Sequence, residues 1–316
     1  MSMERLKVLI WHVHGSYLYY LAHAPHDFYV LSKPERPPGY TGRHGHIPWP
    51  DNVHDMPVAQ VKDCQFDCII YQSPAQYLDD QYAILTAEQR RLPKIYIEHD
   101  PPQKHPTDTP HPVDDPEVLL VHVTHFNRLM WNSGRTPTRV IEHGVVIPPG
   151  VSYSGELPKG IVVINHLKDR GRRLGADVFE DVRASVPLDL IGMDAHSMGG
   201  LGEVIHKDLC SFQSHYRFFF NPIRYTSLGL AVIEAMMVGL PIIGLATTEM
   251  VTTIRNGVNG YVDTDVAVLK KRMIELISDP ELARELGAAA RAYAMERFNI
   301  ARFAADWDDA LKSVTA

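Results

Sequence analysis

One carboxylate, Glu234, stands inside an otherwise apolar stretch, LGLAVIEAMMVGLP, residues 228–241. Carboxylates seldom enter apolar surroundings without a partner or a task. The two oxygens of Glu234 can accept two hydroxyl hydrogens, which is what a cis-diol offers. Leu228, Val232, Ala235 and Met236 recur at helical spacing. Thr226 and Ser227 precede them as N-cap residue types. The helix start at Ser227, Leu228, Gly229 and Leu230 therefore offers amides and the positive end of a dipole to an anion, and Gly229 permits close backbone approach. A second group is basic: Arg170, Arg172 and Arg173, with His166 before them, in INHLKDRGRRLGADVF. Guanidinium groups pair with phosphate oxygens in a bidentate way; a solvated basic turn is the plainer reading of the same run. A third candidate is His99, which closes the apolar run KIYIEHD. In an open sheet a residue at the carboxyl end of a strand projects towards the ligand crevice. The chain holds 17 histidines, so most of them need no special role.

The elements that must hold these residues alternate between apolar strand-like runs and helical or polar segments. The strands expected in the first half are KVLIWHV, DFYVLS, DCIIYQ, KIYIEH, VLLVHVT and TRVIEHG. Those in the second are GIVVINH, LDLIGM, YRFFFNP, PIIGLA and GYVD. Helical spacing marks 17–24, 86–92, 127–133, 174–184, 228–238, 266–278 and 281–297. Alternation of this kind predicts α/β architecture with parallel sheets. IPPGVSYSGELPKG, residues 147–160, is rich in Pro, Gly and Ser and predicts a linker between two doubly wound halves. The expected domains are 1–150, 151–298 and a final helix, 299–316. Ligands should bind at strand carboxyl ends, in a cleft between the halves. The Pro- and His-rich loops 32–55 and 100–115 are long for simple connections, which suits an acceptor or lid role. Tyr17, Tyr19 and Tyr20 are either core or stacking faces for an acceptor.

Composition narrows the function further. The chain has 316 residues, enough for two ordinary domains, and a net charge of -7. That balance argues against nucleic acid as the main partner and gives no sign of tight docking on anionic lipid. Three cysteines, Cys64, Cys68 and Cys210, make no disulfide framework. No secretory leader is evident in MSMERLKVLIW, and Glu234 and Pro241 interrupt the one run of membrane-spanning length, so a cytoplasmic placement is expected. No G-x-G-x-x-G occurs, which weakens a nicotinamide-dehydrogenase reading. His99, His105 and His111 are irregularly spaced, which is poor support for a metal site. Neither a catalytic metal nor a cofactor is expected.

The segment NPIRYTSLGLAVIEAMMVGLP followed by NGVNGYV resembles the donor-sugar site of retaining GT-B glycosyltransferases, in the GT4-like family called glycosyl transferases group 1. The family pattern is P-x-x-x-E-x-F-G-L-x-x-x-E-A-M-x-x-G-x-P with a short glycine loop behind it. The second Glu of its E-x7-E pair matches Glu234, and the first falls on Thr226. The resemblance is specific from about Asn165 to Trp307 and diffuse before Ile141. It implies a GT-B fold: two Rossmann-like, doubly wound parallel-sheet domains facing a central cleft, with the final helix crossing back to the first. It implies that Glu234 holds a nucleotide ribose, that His166 and Arg172 stand where two cations hold a diphosphate, with Arg173 and Arg170 as close alternatives, and that His99 meets the transferred sugar. Gly15 and Ser16 in HVHGSYLYY match the family's glycine-rich loop.

The activity so implied is metal-independent transfer, with retention, from a UDP-, GDP- or ADP-sugar to a saccharide, lipid or small-molecule acceptor. Domain closure would exclude water. Thr226 can donate one hydrogen bond but supplies no negative charge, so another acid, such as Glu249, would have to replace it. Two other readings stand beside this one, the first motivated by Thr226 and the compact N-terminal half and the second by the shared fold. One is a nucleotide-sugar-binding GT-B protein with little transfer, acting as a pseudoenzyme or subunit. The other is a GT-B nucleotide-sugar epimerase.

Overall fold

The structure is a computed structural model that describes residues 5–43, 45 and 47–316. His44 and His46, inside the 32–55 loop, lie outside the described residues, as do residues 1–4. The chain divides into two compact units, one running to Gly144 and including Ile300–Ala316, the other Val145–Asn299.

The first unit is built on strands β1 (Lys7–Ile10), β2 (Asp27–Ser32), β3 (Val53–Pro57), β4 (Cys68–Tyr71), β5 (Lys94–Glu98), β6 (Val118–His122) and β7 (Thr138–Val140). All pair in parallel, in the order β3-β2-β1-β4-β5-β6-β7. Val8, Leu9, Ile10, Ile69, Ile70, Ile95, Ile97, Leu120 and Val121 are fully buried, because a parallel sheet is covered on both faces. Helix α1 (Gly15–Leu21) follows β1, and two short helices, α2 (Gln81–Ile84) and α3 (His125–Met130), follow β4 and β6. Thr124 caps α3 by accepting from the Asn127 amide at 3.0 Å. The last helix, Ile300–Thr315, packs on α1 and β4, burying Phe303, Trp307, Ala310 and Leu311. Those residues recur at the helical spacing seen in the sequence.

The second unit holds β8 (Leu157–Val163), β9 (Leu188–Ile191), β10 (Tyr216–Asn221), β11 (Ile242–Leu245) and β12 (Gly260–Asp263), parallel in the order β12-β11-β10-β8-β9. Its helices are α4 (Leu167–Leu174), α5 (Ala176–Arg183), α6 (His206–Gln213), α7 (Leu230–Val238), α8 (Met250–Thr253), α9 (Val266–Ser278) and α10 (Pro280–Arg297). Asp265 caps α9. Asp279, followed by Pro280, caps α10 through the Glu281 and Leu282 amides.

Several expectations are corrected. β3 had no alternating signature; it is an edge strand, which tolerates Pro57. Helix over 86–92 reduces to the turn Gln89–Arg91, and helix α6 was not foreseen. The basic run after β8 is itself helical. It breaks at Gly171, whose φ of 55° and ψ of -139° are open to glycine and strained for other residues. Cys68 and Cys210 are buried free thiols and Cys64 is half-buried.

His122, at the end of β6, is fully buried, and burial pushes its imidazole down to about 3. Between an ordinary value near 6.5 and that depressed one, the unfolded chain takes up a proton that the folded chain refuses. Stability therefore falls as pH drops through this window. At pH 5 His122 alone should remove about 2 kcal/mol relative to neutral pH. His122→Asn should flatten the pH dependence of the denaturation midpoint by that amount. An unchanged acid limb would show that His122 is protonated in the fold.

Candidate functional site

Each sheet has one place where the winding reverses, and open parallel sheets bind ligands there, beyond the strand carboxyl ends. In the second unit the reversal lies between β8 and β10, since the chain leaves β8 towards β9 and β10 towards β11. The loop after β8 holds His166, exposed and left-handed at φ 51°. Its amide donates to the Met193 carbonyl at 2.8 Å, while Asn165 Oδ1 accepts from the Met193 amide at 2.9 Å, tying this loop to the one after β9. The break at Gly171 turns the chain so that the Arg173 carbonyl accepts from the amides of Arg224 and Tyr225, at 3.0 and 3.3 Å. The two loops flanking the reversal are thus joined through backbone.

Charge is shared across the same joint. Arg224 grips Asp177 with both terminal nitrogens, at 2.6 and 2.8 Å, and Arg172 reaches the same carboxylate at 2.5 Å. The Arg224 guanidinium holds the Asp177 carboxyl below the usual carboxylate range. One carboxylate therefore serves two guanidinium groups, and the three together keep a net positive charge. Arg173 is half-buried beside them, and Arg170 is exposed. Arg224 and Asp177 carried no signal in the sequence, because their pairing joins positions far apart in the chain.

Helix α7 starts at Leu230 with Gly229 as its N-cap, and no side chain caps it. The expected start at Leu228 and capping by Thr226 or Ser227 are corrected: both hydroxyl residues lie in the half-buried loop ahead of the helix, and Leu228 is buried. The first-turn amides of α7 thus have no side-chain acceptor from the cap. A Cβ placed on Gly229 would meet nothing within 4 Å, so there is open space in front of this helix end. Glu234 lies one turn further in and is buried. His206 Nε2, at the start of α6, is 3.5 Å from its Oε1. His206 escaped the sequence reading because the helix it opens was not recognised. Glu249, considered as a replacement acid, is buried and bound to Arg297 at 3.1 Å and to the Thr252 hydroxyl at 2.9 Å.

In the first unit the reversal lies between β1 and β4. Gly15 and Ser16 form the first residues of α1, after His14. A Cβ at Gly15 would come within 2.5 Å of Ile47 Cδ1 and 3.0 Å of His12 Nε2, so these two side chains are packed close over this turn. His12 Nδ1 lies 2.6 Å from the Gly42 carbonyl. His99 is half-buried just beyond β5, and its Nε2 is 2.9 Å from Gln72 Oε1. Its ring centroid is 4.3 Å from that of His14 and 4.8 Å from that of Tyr17. Burial, then the neighbouring His14 and His143, hold its pKa well below the ordinary value, so the ring is neutral. The adjacent Glu98 accepts from the Asp100 amide and lies 3.1 Å from His111 Nε2, which anchors the 100–115 loop. Tyr17 and Tyr20 are buried, which settles their core role; Tyr19 is half-buried.

Among the described residues, one group has metal-ligand geometry: His166, Asp169 and Asp194 each place a ligand atom within 4.8 Å of the others. All three are exposed. A cavity of about 300 Å³ is lined by Asn256, Tyr261, Asp263 and Arg272, at the edge strand β12 rather than at the winding reversal. Among the described residues, no helix is long and apolar enough to cross a membrane.

Residues 198–293, which include the whole of α6, β10 and α7, match the family described as glycosyl transferases group 1. A trehalose synthase of Pyrococcus horikoshii is 27% identical over 135 residues, which are 43% of this chain and 30% of that protein. The matched stretch thus spans under a third of that curated relative. The whole chain is similar in structure to a sucrose-phosphate synthase from Thermosynechococcus elongatus, with a TM-score of 0.69 and 15% identity over 98% of this chain and 99% of the other. It is equally similar to Anabaena HepE, solved with UDP-glucose, with a TM-score of 0.68 and 16% identity over 98% and 100%. The fold is GT-B, as the sequence resemblance implied.

The pairing of Glu249 makes it a structural acid of the domain. Glu249→Gln would remove a counter-charge from the Arg297 guanidinium, which is itself only 19% exposed. The expected cost is about 2–3 kcal/mol of stability, read from the unfolding midpoint, with nucleotide affinity unchanged. Lost affinity in a chain of unaltered stability would return Glu249 to the site.

Proposed function

We propose that this protein transfers a sugar from a nucleotide-diphosphate sugar to a saccharide, lipid or small-molecule acceptor, with retention and without a catalytic metal, in the cytoplasm. The observation that carries the reading is the winding reversal of the second unit. There a basic helix broken at Gly171, an uncapped helix start with open space before it, and a buried carboxylate one turn behind stand together. These are the chemistries that a diphosphate and a ribose cis-diol require. Arg172, Arg173 and His166 face the diphosphate, with the amides at Ser227–Leu230, and Glu234 accepts from the ribose hydroxyls. Thr226 donates to the sugar, and His99, Gly15 and Ser16 serve the sugar and acceptor from the first unit. The glycosyl transferases group 1 segment and the structural likeness to a protein solved with UDP-glucose make UDP-glucose the first donor to try.

In this reaction the bond from the anomeric carbon to the leaving phosphate oxygen breaks. The acceptor oxygen bonds to the same face of that carbon, and its proton passes to the leaving phosphate. The phosphate gains charge as the bond breaks, so fixed positive charge and helix amides lower the barrier. Binding of a nucleotide sugar with little turnover is a second reading. It is favoured by Thr226 in place of a carboxylate and by Asp177 neutralising one of the two guanidinium groups.

Calorimetric titration with UDP, GDP, ADP and TDP in the presence of a chelator should give one clear binder. Glu234→Ala should weaken it by about ten- to a hundred-fold, the worth of charge-assisted hydrogen bonds to two hydroxyls. Unchanged affinity would remove Glu234 from the ribose site, and no binder at all would remove the donor site. Hydrolysis or transfer assayed with and without chelator should run at the same rate. A rate that needs divalent cations would overturn metal independence, and Asp169→Asn with Asp194→Asn would then show whether the exposed His166 group holds the ion.

A further inference from the structure

Gln72 is the residue immediately after β4, beside the winding reversal of the first unit, and it is buried. Its backbone amide donates to Gln76 Oε1 at 2.7 Å, and its side-chain Nε2 donates to the Trp11 carbonyl at 2.7 Å. A backbone carbonyl only accepts, so the atom of the Gln72 amide facing Trp11 must be nitrogen. That choice turns Oε1 towards His99, whose Nε2 lies 2.9 Å away. An amide oxygen also only accepts, so His99 Nε2 must carry the hydrogen. A chain of one-way hydrogen bonds thus runs from the end of β1 through Gln72 to the ring beyond β5. It fixes the imidazole without any charge.

We propose that Gln72 is a positioning residue that holds His99 as its Nε2–H tautomer, so that Nδ1 is presented as an acceptor for a hydroxyl of the transferred sugar. The sugar-directed part rests on the donor reading above; the tautomer part does not. Among the described residues, the one hydrogen bond made by His99 is that through Nε2, and the ring is half-buried, which leaves Nδ1 to a ligand. The groups facing the ring are His14 before α1, Tyr17 on α1, Gln72 after β4 and His143 after β7. None of them is a carboxylate, so the surroundings keep the ring neutral and its lone pair available. A histidine oriented by a carboxylate would share charge with it; one oriented by an amide stays a neutral acceptor.

The tautomer is read directly from imidazole nitrogen NMR of the full chain labelled with 15N-histidine, with His99→Gln identifying the signal. The wild type should show protonated Nε2 and bare Nδ1. Gln72→Met should lose that preference, and Gln72→Glu should keep Nε2–H while moving the titration of His99 upward. A wild-type ring protonated on Nδ1, or an unchanged spectrum in both variants, would overturn the proposal. In the second arm, Gln72→Met should weaken UDP-glucose about ten-fold, the worth of one neutral hydrogen bond, while leaving UDP unchanged. Equal loss for UDP and UDP-glucose would mark Gln72 as merely structural. If Gln72→Met does not fold, Gln72→Glu carries both arms. Failure of the wild type to bind either nucleotide would overturn the donor reading instead, and would do so with the wild-type tautomer still observed.

Discussion

The chemistry of this molecule depends on a property of parallel sheets: every strand delivers its carboxyl end to the same edge. The central strands are covered on both faces and are mostly apolar, so many polar groups stand near where a strand stops. Ile10 and Trp11 give way to His12, Tyr71 to Gln72, Ile97 to Glu98 and His99, Val121 to His122, Ile164 to Asn165 and His166, and Phe220 to Asn221. His99 and His166 stand at two of these transitions, while Gly15 and Ser16, Arg172 and Arg173, and the residues from Thr226 to Glu234 lie further on, in the loops and helices that follow β1, β8 and β10.

Reversal of the winding then selects which of these edges is open. In each unit two adjacent strands send their loops in opposite directions, and the loops part above them. In the second unit the parted loops are joined again by Arg173 accepting from Arg224 and Tyr225, and by Asp177 shared between Arg172 and Arg224. The positive charge is therefore fixed in place before any ligand arrives, which limits reorganisation when charge develops. In the first unit the corresponding edge carries His99, kept neutral by burial and by the neighbouring His14 and His143, with an amide rather than a carboxylate holding its ring. The two units thus offer different chemistry: fixed charge in one, neutral donors and acceptors in the other.

The pattern NPIRYTSLGLAVIEAMMVGLP carried most of what was legible about the site, because helix periodicity, a lone carboxylate and the Gly-Pro break are all local in sequence. The same locality explains the errors. Thr226 and Ser227 are strong capping types, yet tertiary placement of the loop gives the cap to Gly229. The basic run after β8 looked like a loop because Gly171 interrupts its helical pattern. Gln72 gave no signal, since a glutamine after an apolar run is unremarkable until a carbonyl 61 residues away fixes its amide.

The sequence by itself determined the α/β class, the parallel strands, the motif NPIRYTSLGLAVIEAMMVGLP and the candidates Glu234, His99 and the arginine cluster. Each of these is written in residue types and short spacings. The tertiary structure alone decided which candidates are paired: Arg172 with Asp177, Glu234 with His206, Glu249 with Arg297 and His99 with Gln72. Ion pairs and amide orientations join residues from different helices and loops, and their partners are set by strand order and loop path, neither of which a single sequence displays.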